Sequence, residues 1–235
     1  MRLGIILPSF APSAKPSIDR AREAEGEGIH GVFAYHHLWP MGSPGQPAIE
    51  PFVLLGCVAN ETSDLILGTL VARIGLVPDT VLIGEFRTLS AVSRGRMIAG
   101  IGTGDHLSAN ENRSYGIAFA RAEERRNALC QVAATLRGDG IEVWIGGGAP
   151  ATNAIATKTG STLNLFDRPP EAVAASAPFC SVSWAGPLPR RESSATDLVR
   201  AVAESGATWL VVSSFSTTVS AVTSAARSAG VDLGW

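Results

Sequence analysis

Three short stretches of this chain carry residue types that can do chemistry. The first runs Ser93-Arg94-Gly95-Arg96-Met97-Ile98-Ala99-Gly100-Ile101-Gly102-Thr103-Gly104-Asp105, with glycine at three alternate positions. Alternate residues of a strand share one face, so three bare positions let another backbone or a flat ligand come close. A barrel bend that needs room is the competing reading; three glycines in series before Asp105 favour a ligand. The second stretch is His36-His37 followed by Trp39. Neutral imidazole can give a proton or a hydrogen bond to a developing anion near neutral pH. Adjacent residues of an extended segment point to opposite sides, so the pair is not expected to bind one metal together. A histidine at a strand end is often a satisfied structural group, and the neighbouring Trp39 and glycine loops keep catalysis open beside that reading. The third stretch is Gly146-Gly147-Gly148-Ala149-Pro150. Free backbone N–H groups next to a helix start form a natural phosphate site, whereas a plain strand-to-helix turn normally needs one glycine.

These residues need elements to hold them. Leu3–Pro8, Gly31–Ala34, Leu65–Thr69, Met97–Ile101, Glu142–Ile145, Thr162–Leu165, Phe179–Trp184 and Thr208–Ser213 read as short buried strands. Helical spacing falls between them: Ile18 to Gly28, Phe52 to Glu61, Pro78 to Ser93, Phe119 to Arg137, Asn153 to Thr159, Ser194 to Ser205 and Val219 to Ala229. Pro169 to Val173 allows only about two helical turns, and residues 105–117 read as a polar loop. Alternation of strand and helix implies a parallel sheet. Eight such units over 1–235, with no linker or composition shift, predict a single (β/α)8 TIM barrel. The open doubly wound alternative lacks its G-x-G-x-x-G turn after the first strand, which ends Leu7-Pro8-Ser9. In a barrel the working face lies at the C-terminal ends of the strands. His36, His37, Trp39, Leu70, Val71, Gly102 to Asp105 and Gly146 to Gly148 all fall there, while Arg94 and Arg96 fall at the opposite end and read as structural.

Composition narrows the function classes. The chain has 235 residues, is 46% hydrophobic and carries a net charge of -2, so electrostatics give no reason to expect nucleic acid or an anionic membrane as partner. No apolar run reaches the roughly 18 residues of a spanning helix, and the first apolar segment is too short for a signal peptide. Cys57, Cys130 and Cys180 are odd in number and far apart, which fits buried thiols in a reducing cytoplasm better than disulfides or zinc. A metal-dependent hydrolase barrel would want His-x-His on its first strand, and a serine hydrolase a G-x-S-x-G elbow; neither is present, and no metal site is expected.

The ordered set of motifs resembles the bacterial-luciferase-like flavin and deazaflavin oxidoreductases. It comprises Ala24-Glu25-x-x-Gly28, His37, Leu67-Gly68-Thr69, Ser93-x-Gly95-Arg96, Gly100-Ile101-Gly102-Thr103-Gly104-Asp105, Glu111 with Tyr115-Gly116, Arg125, and Trp144-Ile145-Gly146-Gly147. The likeness runs from Leu3 to about Asn164; the last third matches poorly. It implies a barrel with a flavin or deazaflavin at its mouth and a small-molecule substrate, and leaves a homodimer open. By that likeness His37 is the acid/base. Leu70-Val71 holds a non-proline cis peptide against the ring, Asp105 and Asn110 line the site, and Gly146 and Gly147 meet the phosphate side; Gly102, Gly104 and Gly148 are expected among the cofactor-binding positions. The chain departs from the family at His36, where Asp is usual, and after the phosphate loop, where only Asn164 of an Ala-Asp-Gly-Trp-Asn segment survives. It also lacks the long insertions that build a substrate lid.

The resemblance implies a hydride transfer between coenzyme F420 and a small organic substrate. FMN on the same barrel, in an oxygenase or reductase, is the alternative, and a non-catalytic flavin-binding barrel is the third. Glycines would serve either cofactor. The likeness around Gly102-Thr103-Gly104-Asp105 and an open groove for a carboxylate-rich tail favour the deazaflavin.

Overall fold

The computed structural model describes residues 1–40, 42–213 and 217–231. Its strands are β1 (Arg2–Ile6), β2 (Gly31–Ala34), β3 (Ile66–Thr69), β4 (Ala72–Arg73), β5 (Met97–Gly102), β6 (Glu142–Gly146), β7 (Thr162–Phe166), β8 (Val182–Gly186) and β9 (Trp209–Ser213). The sheet order is β3-β2-β1-β9-β8-β7-β6-β5-β4, and β3 also pairs with β5. That last pairing, Leu67 with Met97 and Gly68 with Ile98, closes eight parallel strands into a barrel. The two-residue β4 hangs on β5 alone, opposite Ile101 and Gly102.

Helices α1 (Lys15–Gly26), α2 (Pro51–Glu61), α3 (Asp79–Val92), α4 (Ser108–Ser114), α5 (Ala122–Gly138), α6 (Pro150–Thr159), α7 (Pro170–Ser176), α8 (Glu192–Glu204) and α9 (Val219–Ser228) connect the strands. Pro sits in the first turn of α1, α2, α6 and α7, where its missing N–H costs nothing. No helix among the described residues is long and apolar enough to cross a membrane.

Period two separates two cores. Outward residues such as Leu3, Ile5, Val32, Ala34, Ala99 and Ile101 pack under the helices. Inward residues Ile6, Phe33, Leu70, Ile98, Trp144, Trp209 and Val211 fill the barrel. Phe33 stacks on Trp144 with centroids 5.1 Å apart, and Trp209 meets both rings edge-on. These rings need space: a Cβ on Gly68 would lie 2.5 Å from the Phe33 ring, and one on Gly4 2.8 Å from it. Arg96, as expected, is structural. It donates to the carbonyls of Leu65, Ala59, Thr62 and Ser93 and ties the closed end of the barrel. Gly95 takes the expected left-handed φ, 82°.

Three expectations need correction. Residues 108–114 of the expected loop are helical, α4. The strand expected from Phe179 starts at Val182; Phe179 is 73% exposed in a turn. The helix expected from Phe119 starts at Ala122, where the Glu124 carboxylate accepts the Arg121 backbone N–H at 3.0 Å and pairs with its guanidinium. Its preceding residues serve instead as an anchor: Phe119 lies under the Arg125 guanidinium at 3.9 Å.

Candidate functional site

The C-terminal mouth holds a cavity of about 430 Å³ lined by Phe10, Tyr35, His37, Leu70, Val71, Arg73, Gly104, Asp105, Ser108, Gly146, Gly147, Asn164 and Phe166. Period two continues past the end of β2: Tyr35 and His37 reach the cavity while His36 turns outward, edge-on to Phe52 of α2. The adjacent histidines therefore face opposite sides. Phe10, Tyr35 and His37 form an aromatic wall, with Phe10 and Tyr35 parallel to within 8° at 5.7 Å.

His37 is held by a buried charge cluster. Its Nδ1 lies 3.1 Å from Oε2 of Glu111, and the same oxygen lies 2.9 Å from Nη2 of Arg73. The Arg73 contact is a charge contact and not an aligned hydrogen bond, since Nη2 lacks hydrogen-bond geometry to any acceptor among the described residues. The other carboxylate oxygen accepts the Leu38 N–H. Arg73 and Glu111 are 4% and 3% exposed. Arg73 also donates to Asn112 Oδ1 at 3.1 Å, to Ser108 O at 3.4 Å and to His36 O at 3.3 Å. Burial works against ionisation of Glu111, but the hydrogen bonds from His37 and Leu38 and the charge of Arg73 outweigh it, so its pKa falls. Glu111 is thus a carboxylate at neutral pH, and an acceptor only. The proton between it and His37 belongs to Nδ1 of the imidazole, and neutral His37 has a bare Nε2. No described protein group hydrogen-bonds Nε2. Burial, and then the charge of Arg73, lower the pKa of His36 to about 4, so His36 is a neutral structural group whose Nδ1 accepts the Arg73 N–H.

The glycine series has a different use from the one its spacing suggests. The Leu70–Val71 peptide bond is cis, as the family likeness implies, and joins β3 to β4. A Cβ on Gly100 would lie 1.9 Å from Thr69 O; one on Gly102 would lie 2.7 Å from Val71 Cγ2; one on Gly146 would lie 3.2 Å from the same methyl. Gly100, Gly102 and Gly146 therefore form a socket for Val71 and its backbone, which pushes Leu70 and Val71 into the cavity floor. Gly102 stands behind Val71 and not on the cavity wall. Gly104, at φ 66°, does line the cavity, and its α-carbon faces Ser108.

Other expected site residues are distributed unevenly. Asp105 lines the cavity, but its Oδ1 accepts from Leu107 N, Ser108 N and Ser108 Oγ and starts α4. Asn110 lines a second, adjoining cavity, and its Oδ1 accepts from Arg113. Gly146 and Gly147 line the main cavity; Gly148 does not. The N–H groups expected free for phosphate are partly engaged: Gly147 donates to Asn164 O at 2.9 Å and Gly148 to Asn153 Oδ1 at 3.0 Å. The cation at this corner is Arg168, whose guanidinium stands 3.0 Å from where a Gly148 Cβ would be. Among the described residues no group of three or more His, Cys, Asp or Glu is placed to hold a metal.

The sequence reading assigned no role to Arg73, Glu111, Phe10, Tyr35 or Phe166. Arg73 had one signal: an arginine inside the otherwise apolar Leu70-Val71-Ala72-Arg73-Ile74, where a buried cation needs a buried partner. Ser108, Glu111 and Asn112 stand at i, i+3 and i+4 and are the buried face of α4.

Comparison with known proteins agrees with this architecture. Residues 1–129 match the family described as luciferase-like monooxygenase. An F420-dependent hydroxymycolic acid dehydrogenase of Mycobacterium tuberculosis is 27% identical over 181 residues, 75% of this chain and 48% of that protein. An F420-dependent glucose-6-phosphate dehydrogenase of Kineococcus radiotolerans is 36% identical over 117 residues, 49% of this chain and 33% of that protein. The chain thus spans half or less of the length of these relatives. Among solved structures, an F420-dependent secondary alcohol dehydrogenase in complex with an F420-acetone adduct superposes with TM-score 0.81 at 11% identity, over 97% of this chain and 98% of that one. A monooxygenase from Streptomyces bottropensis superposes with TM-score 0.72 at 15% identity, over 99% and 98%. At such identities these likenesses speak for the fold alone.

Proposed function

The chain belongs to the luciferase-like monooxygenase family, and on that premise we propose that it is an oxidoreductase moving a hydride between deazaflavin coenzyme F420 and a small organic substrate, with His37 as the acid/base. The observation that carries the proposal is the His37–Glu111 contact: Nδ1 is held at 3.1 Å by a buried carboxylate, so Nε2 is the nitrogen free to exchange a proton at the cavity wall. The F420-dependent relatives supply the cofactor class.

The walls suit a tricyclic ring. Leu70 and Val71 give it an apolar floor, Phe10 and Tyr35 an aromatic side, and Gly104, Gly146 and Gly147 close approach at the edge. Arg168 and the start of α6 stand where a phosphate would be favoured. The bound deazaflavin supplies the carbon that accepts or gives up the hydride. In alcohol oxidation, the hydroxyl proton passes to Nε2 of His37 while the electron pair of the carbinol C–H bond leaves with its hydrogen as hydride; a carbonyl remains. The imidazolium so formed keeps its Nδ1–H on Glu111. Arg73 offsets the carboxylate's charge and so limits how tightly that imidazolium is held. In carbonyl reduction the same proton travels back.

FMN on the same walls is the second reading, favoured by the monooxygenase description of the matched family. Fluorescence titration of the apoprotein with each cofactor separates them. A saturable F420 response with little response to FMN is expected. Tight FMN binding with no F420 response overturns the choice, and binding of neither points to a non-catalytic barrel. The cysteines are free but not the buried thiols expected: Cys57 is exposed and Cys130 and Cys180 are half-buried; unpaired thiols so placed suit a reducing cytoplasm.

A further inference from the structure

We infer that the substrate is an uncharged, largely apolar alcohol or carbonyl compound, seated in a second chamber walled by Trp39 and Leu107. The inference rests on the acid/base reading of His37. This chamber, about 390 Å³, shares His37 and Ser108 with the main cavity and adds Trp39, Pro44, Leu107 and Glu111. The imidazole is thus a partition, with a ring-sized cavity on one side and a small-molecule-sized one on the other.

The chamber's buried polar side chains are engaged by the protein, and the exposed Asn110 keeps its Nδ2 toward solvent. Oε1 of Glu111 accepts from Leu38 and Oε2 faces His37 and Arg73. Ser108 Oγ donates to Asp105 Oδ1 and accepts the Asp105 N–H. Asn110 Oδ1 accepts from Arg113. His37 Nε2 is left as the buried group to meet a ligand; bare in the neutral imidazole, it accepts the hydrogen bond of a substrate hydroxyl. A substrate that fits makes one polar contact there and presents apolar surface elsewhere. Trp39, 9% exposed and packed at a tilt of 33° against Tyr115 with centroids 5.6 Å apart, is a fixed wall. Leu107, 49% exposed, is a rim that a ligand would cover.

Charge points the same way. Among the described residues no Lys or Arg lines the chamber. Arg73 lies behind Glu111 and is spent on it, on Asn112 and on His36. A phosphate or carboxylate would therefore be desolvated beside an ionised Glu111 with no free counter-cation, which is costly.

Saturation-transfer NMR on the full chain tests this with cyclohexanol and 4-hydroxycyclohexanecarboxylate, which differ by one charged group. Cyclohexanol should bind, the carboxylate analogue at least about tenfold more weakly, and Leu107→Trp, which fills the chamber from its exposed rim, should reduce alcohol binding at least about tenfold (a difference of about 1.4 kcal/mol). Equal or tighter binding of the carboxylate, no alcohol binding, or alcohol binding unchanged in Leu107→Trp would each overturn the inference. Cofactor titration is read separately. Leu107 does not line the main cavity, so the variant should bind F420 like the parent. Alcohol binding by a parent protein that ignores F420 would sink the deazaflavin reading and leave the chamber assignment standing.

Discussion

Glu111 reaches His37 across 74 residues of chain, and its Oε2 stops 3.1 Å from Nδ1 of the imidazole. This contact sets the tautomer of His37, and the tautomer decides which nitrogen can move a proton at the cavity.

His37→Ala should lower turnover by roughly 100-fold or more, the usual size of a general acid/base contribution. Thermal stability and F420 affinity should stay near parental values, because His37 is a cavity-wall residue and not core. Steady-state kinetics beside a cofactor titration checks this. A fully active variant removes His37 from the mechanism.

Arg73→Met should act on His37 through Glu111. Leaving one member of a buried ion pair without its partner costs about 3–5 kcal/mol of stability, to be read from urea unfolding. Where the variant folds, the imidazolium loses a repelling cation and keeps an unshared carboxylate, so its proton is held more tightly. The acid limb of kcat/KM for alcohol oxidation should then move to higher pH. Glu111→Gln should move it to lower pH. The titratable and charged groups near His37 in this experiment are Tyr35, Arg73, Asp105 and Glu111 around the cavity and His36 on the opposite side of the strand. An acid limb that stays put in both variants would show that the cluster is only structural.

His36 should make the fold sensitive to mild acid. Its folded pKa, about 4, lies below the ordinary 6.5 because the ring is buried, and then because Arg73 and His37 are near. The depressed value means that the unfolded chain binds the extra proton first. The stability that His36 contributes is complete above about pH 6.5 and is lost as pH falls toward 4, in all by roughly 3 kcal/mol. His36→Gln should lack this slope, so the stability gap between parent and variant should narrow between pH 7 and pH 4.5. A gap constant with pH would refute the burial argument.

Two glycine-to-alanine changes should go in opposite directions. At Gly100 the new methyl would sit 1.9 Å from the Thr69 carbonyl oxygen. Only backbone movement relieves that clash, and overpacking of this kind costs about 1–3 kcal/mol or more. Gly56 lies inside α2 with nothing within 4 Å of the new methyl, so alanine there should stabilise by about 0.5–1 kcal/mol. Thermal or denaturant melts of both variants check the pair. Tolerance at Gly100 would argue against the Val71 socket.

Much of the barrel was legible along the chain because its signals are local. Leu3–Leu7, Gly31–Ala34 and Met97–Ile101 are apolar runs of strand length, and each is followed by a helical period. The alternation of Tyr35, His36 and His37 follows from the pleat alone. The chemistry around His37 was not legible, for a physical reason. The buried face of α4 is Ser108, Glu111 and Asn112, so hydrophobic periodicity sees only a polar loop. Arg73, which meets Ser108, Glu111 and Asn112 of α4, lies on a two-residue strand that no periodicity can register. The glycines mark a close approach in sequence, but only the closed sheet decides what approaches. At Gly100 and Gly102 it is the Thr69–Val71 segment, brought there by the β3–β5 pairing that closes the barrel.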